Sequence, residues 1–374
     1  MLVYLVLFFF VLCSAYTCEI KGRNQYRSFF FLFIYLFIIL FFALEWRMGV
    51  DNSAYEEYYV DIPQFSDLNV SDLVFGSQFQ PLWIIYISFI KQLFGESYII
   101  FHIVQALIVN TIILNFFRKN TRYYFTAIFL YVFSLNFLYF NLDIQRESLA
   151  VCCFLLSIKS LEEKAYVRYY LICFVAIWFH LFAVVLFFIP PIIYFFRKVN
   201  SLDSFYLWGI LSSLVFVSFF DYMMRAFLPG MAAVDSLMNQ ASYYYEADKN
   251  FGHLAAVALI DVLPPICFLI IRFRLQMNHR DVFTLLTYIY IVLIFCSPFI
   301  SGLSRIKNYM VLPYYVFIVD TLYYARRVHR FKQLILIGLI TMFLMVGFDY
   351  SRPLGGGPRA KITYYIPYRS VFAK

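Results

Sequence analysis

Long apolar runs separated by short basic loops dominate this chain and limit what it can fold into. The first two runs, residues 2–17 and 29–45, approach the length of about 20 apolar residues that a membrane-spanning helix requires. The 374 residues are 63% hydrophobic and 14% charged, whereas soluble domains carry about 25% charged residues. The sequence therefore predicts an all-α, polytopic membrane protein and excludes a series of soluble globular domains.

The basic residues predict how the helices run through the membrane. Most of the 30 Lys and Arg residues lie in short loops between apolar runs, and such loops stay on the cytoplasmic side. This assignment gives about 12 transmembrane helices with both termini outside. The predicted spans are 2–17, 29–45, 98–117, 123–140, 148–160, 167–180, 181–196, 203–220, 253–272, 281–299, 310–324 and 333–349. The net charge of +8 is thus chiefly an orientation signal, and no nucleic-acid partner is expected.

One further apolar stretch, residues 81–93, would invert every later loop if it crossed the membrane. We therefore predict a re-entrant or juxtamembrane helix there, with Lys91 toward the lipid headgroups. Several predicted spans are also short, which is tolerated where a helix is buried in protein or lines an aqueous cavity. A single integral membrane domain, 1–374, is expected. Its external parts are an outer loop at 46–97, a second outer loop at 221–252 and a C-terminal tail at 350–374.

Four groups of polar residues interrupt the apolar pattern, and the predicted topology places all of them on the external side. Ionisable residues at or within membrane spans are costly and usually functional. The groups are Arg47, Asp51 and Tyr55; Gln145, Arg146 and Glu147; His180; and Arg305 with Tyr309.

The first two groups suggest a base and an anion site. Asp51 could deprotonate an attacking hydroxyl, although an ordinary interfacial loop has the same residue types. Arg146 lies in a polar run that opens an apolar helix, where a helix N-terminus and a guanidinium together can bind an anion. The structural alternative is an N-cap with a local pair between Arg146 and Glu147.

The other two groups are less specific when each is taken alone. His180, inside an apolar run, could hydrogen-bond a phosphate or assist proton transfer, or it could be a core histidine. Arg305 and Tyr309 are four residues apart and can therefore face one cavity from a single helix. An interfacial anchor would show the same spacing.

In chain order, these groups resemble the EpsG/Wzy-type family of bacterial polysaccharide polymerases. The resemblance covers the chain from about residue 45 to its end. The motifs are Asp51…Tyr55, Phe79-Gln80-Pro81-Leu82, Arg146…Ala150, Phe179-His180, Arg305…Tyr309 and Ile366-Pro367-Tyr368-Arg369. One departure is that the family more often has Arg-Gln at the helix start, where this chain has Arg146-Glu147. The acid beside Arg146 could weaken its hold on a phosphate or could itself act as the base.

The resemblance implies a GT-C-like glycosyltransferase of the bacterial inner membrane, acting at the periplasmic or outer face. It would transfer a growing glycan from a polyprenyl diphosphate onto a lipid-linked repeat unit. Asp51 is then the expected base, with Glu147 and His180 as alternatives. The expected contacts to diphosphate or glycan are Arg47, Tyr55, Gln145, Arg146, Arg305 and Tyr309. The resemblance also suggests a chain-length regulator protein as a partner. We expect no cofactor and no metal.

The main alternative from another class is a flippase or transporter of lipid-linked oligosaccharide. Transporters often contain internal repeats and bind their substrate near the bilayer midplane. This sequence has no convincing repeat, and its polar groups are predicted at one face, which favours chemistry over transport.

Overall fold

The computed structural model describes residues 2–69, 79–198, 251–278, 281–297, 303–328, 332–351 and 361–373. Within these ranges the regular elements are all helices, and the one strand-like feature is an isolated bridge between Glu45 and Ser370. The predicted all-α class is therefore confirmed. The predicted span 203–220 and the predicted outer loop up to residue 250 lie outside the described residues.

By its internal contacts the chain divides into two compact units. Unit 1 comprises residues 1–156, 172–181 and 346–374, and unit 2 comprises residues 157–171 and 182–345.

The first helices all belong to unit 1. They are α1 (Leu2–Ala15, extended by a π-helical turn to Ile20), α2 (Arg27–Ala43), α3 (Asn52–Asp61), α4 (Pro81–Phe94), α5 (Tyr98–Asn120), α6 (Tyr124–Phe133) and α7 (Asn136–Leu142). Helix α5 packs against α2, and α6 packs against α1. The short helices α3 and α4 lie within the predicted outer loop 46–97, and both contact α5.

The later helices are α8 (Gln145–Glu162), α9 (Tyr166–Phe179), α10 (Ile189–Lys198), α11 (Phe251–Arg274), α12 (Val282–Cys296), α13 (Leu303–Arg327) and α14 (Lys332–Ser351). A 3₁₀ segment, Leu181–Phe188, leads directly into α10. Within unit 2, α12 packs against both α11 and α13. Further 3₁₀ turns lie at Phe65–Asp67, Lys361–Tyr364 and Val371–Ala373.

Five helical segments of the described chain are long and apolar enough to cross a membrane. They are Leu2–Ile20, Asn24–Ala43, Tyr98–Asn120, Leu181–Lys198 and Lys332–Ser351. The pair α6 and α7 is a sixth candidate if its two bent halves count as one span. These segments identify a membrane protein.

The predicted span 123–140 is not one continuous helix in the structure, because α6 and α7 meet at an angle of 74°. At the break, Ser134 is extended, with ψ of 154°, and its hydroxyl donates to the Tyr131 carbonyl oxygen at 2.9 Å. A serine side chain that bonds to the backbone in this way competes with the helical hydrogen-bond ladder. The sequence pattern showed the apolar run but not this local competition.

The predicted orientation of Lys91 toward the headgroups is also wrong. Its ammonium group is buried and donates to the carbonyl oxygens of Val60 at 3.1 Å and Ile62 at 2.5 Å, and it pairs with Glu96 at 2.9 Å. The reason is that carbonyl groups at the C-terminus of α3 have no intrahelical donors and carry a partial negative charge. Lys91 therefore fastens α4 to the end of α3.

Candidate functional site

Glu147 and His180 form a buried acid–imidazole pair in unit 1. Glu147 lies in the first turn of α8, and His180 follows the last residue of α9. The Glu147 Oε2 and His180 Nε2 atoms are 3.8 Å apart, and the side chains are 1% and 11% exposed. This distance is within ion-pair range but too long for a direct hydrogen bond. An imidazole with a carboxylate neighbour can accept and hold a proton near neutral pH.

Arg146 extends from the same turn toward the start of α4. Its Nη1 atom donates to Gln80 Oε1 at 3.2 Å, and its guanidinium carbon lies 4.3 Å from the centre of the Phe79 ring. The buried Nε atom of Arg146 has no hydrogen-bond partner among the described residues. Guanidinium groups match phosphate oxygens in geometry and charge, so Arg146 is the candidate anion-binding side chain of this site.

Gln145, the residue before, joins a second acid–imidazole pair. His102 Nδ1 lies 3.2 Å from Glu45 Oε1, and His102 Nε2 lies 3.1 Å from Gln145 Nε2. Asn52 closes the group, since its Nδ2 donates to Glu45 Oε1 at 2.6 Å and its Oδ1 accepts from Tyr98 at 2.7 Å. All of these polar groups except the Tyr98 ring are buried below a tenth of their surface. A connected network of this kind fixes the start of α8 relative to α5.

Asp143 is the third buried acid of unit 1 and holds the loop before α3. Its Oδ1 atom accepts from the backbone N–H groups of Val50 at 2.7 Å and Asp51 at 3.4 Å, and its Oδ2 atom accepts from the Tyr365 hydroxyl. Gly49 reaches this position with φ of +90°, and a Cβ atom there would lie 2.4 Å from Asp143 Oδ1. Only glycine therefore fits beside the carboxylate.

Burial raises the pKa of two of these carboxyl groups. For Asp143, which directly follows α7, the pKa rises to about 6, although the hydrogen bonds from Tyr365 and Val50 oppose the shift. For Glu45, two residues beyond the end of α2, burial raises the pKa to about 7, opposed by the Met48 N–H and by Asn52. Loss of hydration disfavours the charged carboxylate in both cases.

The structure places Asp51 and Tyr55 near this network but Arg47 at the surface. Asp51 is half-buried and immediately precedes α3, and its carbonyl oxygen accepts from the Tyr55 N–H at 3.0 Å. The Tyr55 ring packs edge-on against Trp83 at 5.9 Å. The Arg47 side chain is 56% exposed and pairs with Glu56 at 2.7 Å, an interaction that raises the pKa of Arg47.

Arg305 and Tyr309 lie in unit 2, in the first two turns of α13. The helix begins at Leu303, so this polar group is part of the helix rather than a segment that precedes it. Tyr309 is fully buried and Arg305 is half-buried. One helical turn separates them, so both occupy one face of α13.

The sequence reasoning missed Glu45, Asn52, Tyr98, His102 and Tyr365. For Glu45 and His102 a signal was available, because each is an ionisable residue in or at the end of an apolar run, as His180 is. For Tyr365 no such signal exists, since 222 positions separate it from Asp143.

Membrane-crossing helices together with buried acid–imidazole pairs and a half-buried arginine define an integral membrane protein with a polar site in unit 1. The chain belongs to the EpsG family, the family of Wzy-type polysaccharide polymerases, whose model matches residues 28–370. The resemblance seen in the ordered motifs is confirmed by this match. Neither the curated proteins nor the solved structures contain a significant match to the chain.

Proposed function

We propose that this protein polymerises polyprenyl-diphosphate-linked oligosaccharide repeat units at the outer face of the bacterial inner membrane. In this reaction the bond between the sugar anomeric carbon and the diphosphate oxygen breaks. The acceptor hydroxyl oxygen of a new repeat unit forms the new glycosidic bond. The acceptor proton passes to a base on the protein, and polyprenyl diphosphate leaves. Membership of the EpsG family supports a polymerase in general, and the site geometry supports this form of it.

The observation that carries the proposal is the adjacency of Arg146 to the pair Glu147 and His180. A cation is required where negative charge develops on the leaving diphosphate, and a base is required at the acceptor hydroxyl. The Nε donor of Arg146 has no partner among the residues that the structure describes, and the next residue belongs to the acid–imidazole pair. One turn of α8 could therefore serve both ends of the transfer.

Within this proposal His180 is the favoured base. Its side chain is 11% exposed, against 1% for Glu147, so the imidazole is the more accessible member of the pair. Glu147 would orient the imidazole and stabilise its protonated form. Asp51, which the sequence favoured, is the alternative base; its backbone N–H donates to Asp143, two residues before the start of α8.

The remaining parts of the proposal concern topology and partners. We propose about 12 crossings in a GT-C-like arrangement, with a periplasmic active face and a chain-length regulator as partner. The lipid diphosphate already activates the donor sugar, so the reaction needs no nucleotide. Gln145, Tyr55, Arg47, Arg305 and Tyr309 are proposed contacts to the diphosphate or the glycan.

Deletion of the gene followed by analysis of surface polysaccharide length tests this function. The expected result is loss of long chains, with single repeat units still attached to the cell-surface acceptor. Loss of even the single unit, with the lipid-linked precursor trapped on the cytoplasmic side, would instead identify a flippase. Complementation with the wild-type chain should restore long polysaccharide.

A further inference from the structure

We propose that residues 361–373 complete the candidate site, and that Tyr365 is a positioning residue that acts through Asp143 on the loop carrying Asp51. The loop consists of residues 44–51, between α2 and α3. The expected effect of Tyr365 on activity rests on the proposed function. Its effect on the position of the loop can be measured whether or not the protein is a polymerase.

Backbone hydrogen bonds join the segment to the loop along its length. The Val371 N–H donates to the Leu44 carbonyl oxygen, and the Trp46 N–H donates to the Arg369 carbonyl oxygen, both at 3.0 Å. A third bond runs from the Gly49 N–H to the carbonyl oxygen of Tyr364, also at 3.0 Å. The segment thus supplies partners to the loop backbone near both of its ends.

Tyr365 provides the side-chain part of this attachment. Its ring is fully buried, its hydroxyl donates to Asp143 Oδ2, and its carbonyl oxygen accepts from the Tyr4 hydroxyl at 2.5 Å. The other oxygen of Asp143 accepts from the Val50 and Asp51 N–H groups. The Asp143 carboxylate therefore accepts hydrogen bonds from both the segment and the loop. Loss of the bond from Tyr365 is expected to change the position of this carboxylate and so the backbone at Asp51.

Removal of the Tyr365 hydroxyl leaves Asp143 Oδ2 buried without its donor. An unpaired buried acceptor is costly, so the carboxylate is expected to turn toward water or to be protonated. Either change weakens its bonds to Val50 and Asp51. Because Gly49 holds a left-handed conformation against the same carboxylate, the loop is expected to open locally.

Tyr368 offers a matched control within the same segment. Its hydroxyl donates to the Phe41 carbonyl oxygen at 2.8 Å, on α2 and not in the loop. Tyr365→Phe and Tyr368→Phe therefore each delete one hydroxyl and one hydrogen bond, but only the first deletes a bond to Asp143.

Hydrogen exchange on the full chain, purified in detergent, tests the positioning. In Tyr365→Phe the amides of residues 44–51 should exchange at least about tenfold faster than in wild type. Tyr368→Phe should leave the exchange of these amides close to wild type. Equal exchange in the two variants would overturn the proposal.

Chain growth from lipid-linked repeat units, measured in the same variants, tests the functional consequence. We expect Tyr365→Phe and Asp143→Leu to slow growth at least tenfold at wild-type protein level. Asp143→Asn should retain most of the rate, because its amide still accepts from Val50 and can donate to the Tyr365 oxygen. Rates near wild type in Tyr365→Phe, despite faster exchange, would overturn the functional part. A wild-type chain that does not polymerise would refute the proposed function alone, since the exchange comparison stands without it.

Discussion

The Glu147 carboxylate and the His180 imidazole lie 3.8 Å apart at the junction of two helices, and both are screened from solvent. Arg146, the residue before Glu147, contacts Gln80 and Phe79 at the start of α4. Successive residues of a helix point about 100° apart. One turn of α8 therefore directs the Arg146 guanidinium to one side and the Glu147 carboxylate to another. The acid in the Arg146-Glu147 sequence can therefore act apart from the phosphate-binding role that is proposed for the arginine.

Glu147→Gln and His180→Gln should each lower the rate of chain growth by about a hundredfold or more, which is the usual effect of removing a general base or its orienting acid. The rate should be measured in membranes supplied with lipid-linked repeat units and normalised to protein level. Lys159→Ala is a suitable control, because Lys159 is exposed on the same helix and pairs only loosely with Glu163 at 3.6 Å. A normal rate of chain growth in both site variants, together with loss of chain growth in Asp51→Asn, would assign the role of general base to Asp51.

Arg146→Ala should abolish polymerisation while the protein still inserts into the membrane. Arg146→Lys should restore little, because an ammonium group cannot reproduce the bidentate geometry of a guanidinium. Arg305→Ala is expected to have a similar effect on chain length. Polysaccharide length on gels, beside an immunoblot of the membrane fraction, measures both properties. Wild-type chain length in Arg146→Ala and Arg305→Ala would rule out a diphosphate clamp at these positions.

Gly49→Ala should destabilise the protein more than Gly95→Ala does. Both glycines have positive φ angles, +90° and +82°, so both substitutions strain the backbone. A Cβ atom at Gly49 would also lie 2.4 Å from Asp143 Oδ1, whereas nothing lies within 4 Å of one at Gly95. Thermal unfolding midpoints in detergent measure the difference. Equal midpoints would show that Asp143 can move aside without loss of stability.

The stability of unit 1 should fall as pH rises from about 4 to above 6. Burial raises the pKa of Asp143 from 3.8 to about 6, so the folded state binds the proton more tightly than the unfolded state does. That contribution is complete below the unfolded pKa and is lost as pH rises through the folded pKa. The groups that interact with the Asp143 carboxyl include the Tyr365 hydroxyl, the loop amides and the carboxylates of Asp51 and Glu45.

The unfolding midpoint, followed from pH 4 to pH 8 in wild type and Asp143→Asn, measures this dependence. The unfolding midpoint of the asparagine variant should fall less with rising pH than that of wild type. The pH dependence that remains should come from Glu45, whose pKa is raised to about 7. An identical pH dependence in the two proteins would contradict the assignment to Asp143.

The features that the sequence revealed are those that depend on local pattern. Apolar runs predicted the helices, and the polar run around Arg146 indicated the start of α8. Pairings across the chain were not predictable, because the bond between Tyr365 and Asp143 depends on tertiary packing of segments that are far apart in sequence. The burial of Lys91 was missed for a related reason. Its partners are carbonyl groups at the end of α3, which have no side-chain signature.

The hydrogen bonds that Asp143 accepts from Asp51 and Tyr365 also bear on how many times the chain can cross the bilayer. If the hydrogen-bonded residues Asp51 and Asp143 lie at one surface of the bilayer, the chain crosses the bilayer an even number of times between them. Helix α5 and the bent pair α6–α7, if each crosses, already make two. Helix α4, with 14 residues and thus about 21 Å of length, cannot then be a third crossing. On the same condition, the number of crossings between Asp143 and Tyr365 is also even. The spans assigned to the chain between these two residues then have to be even in number.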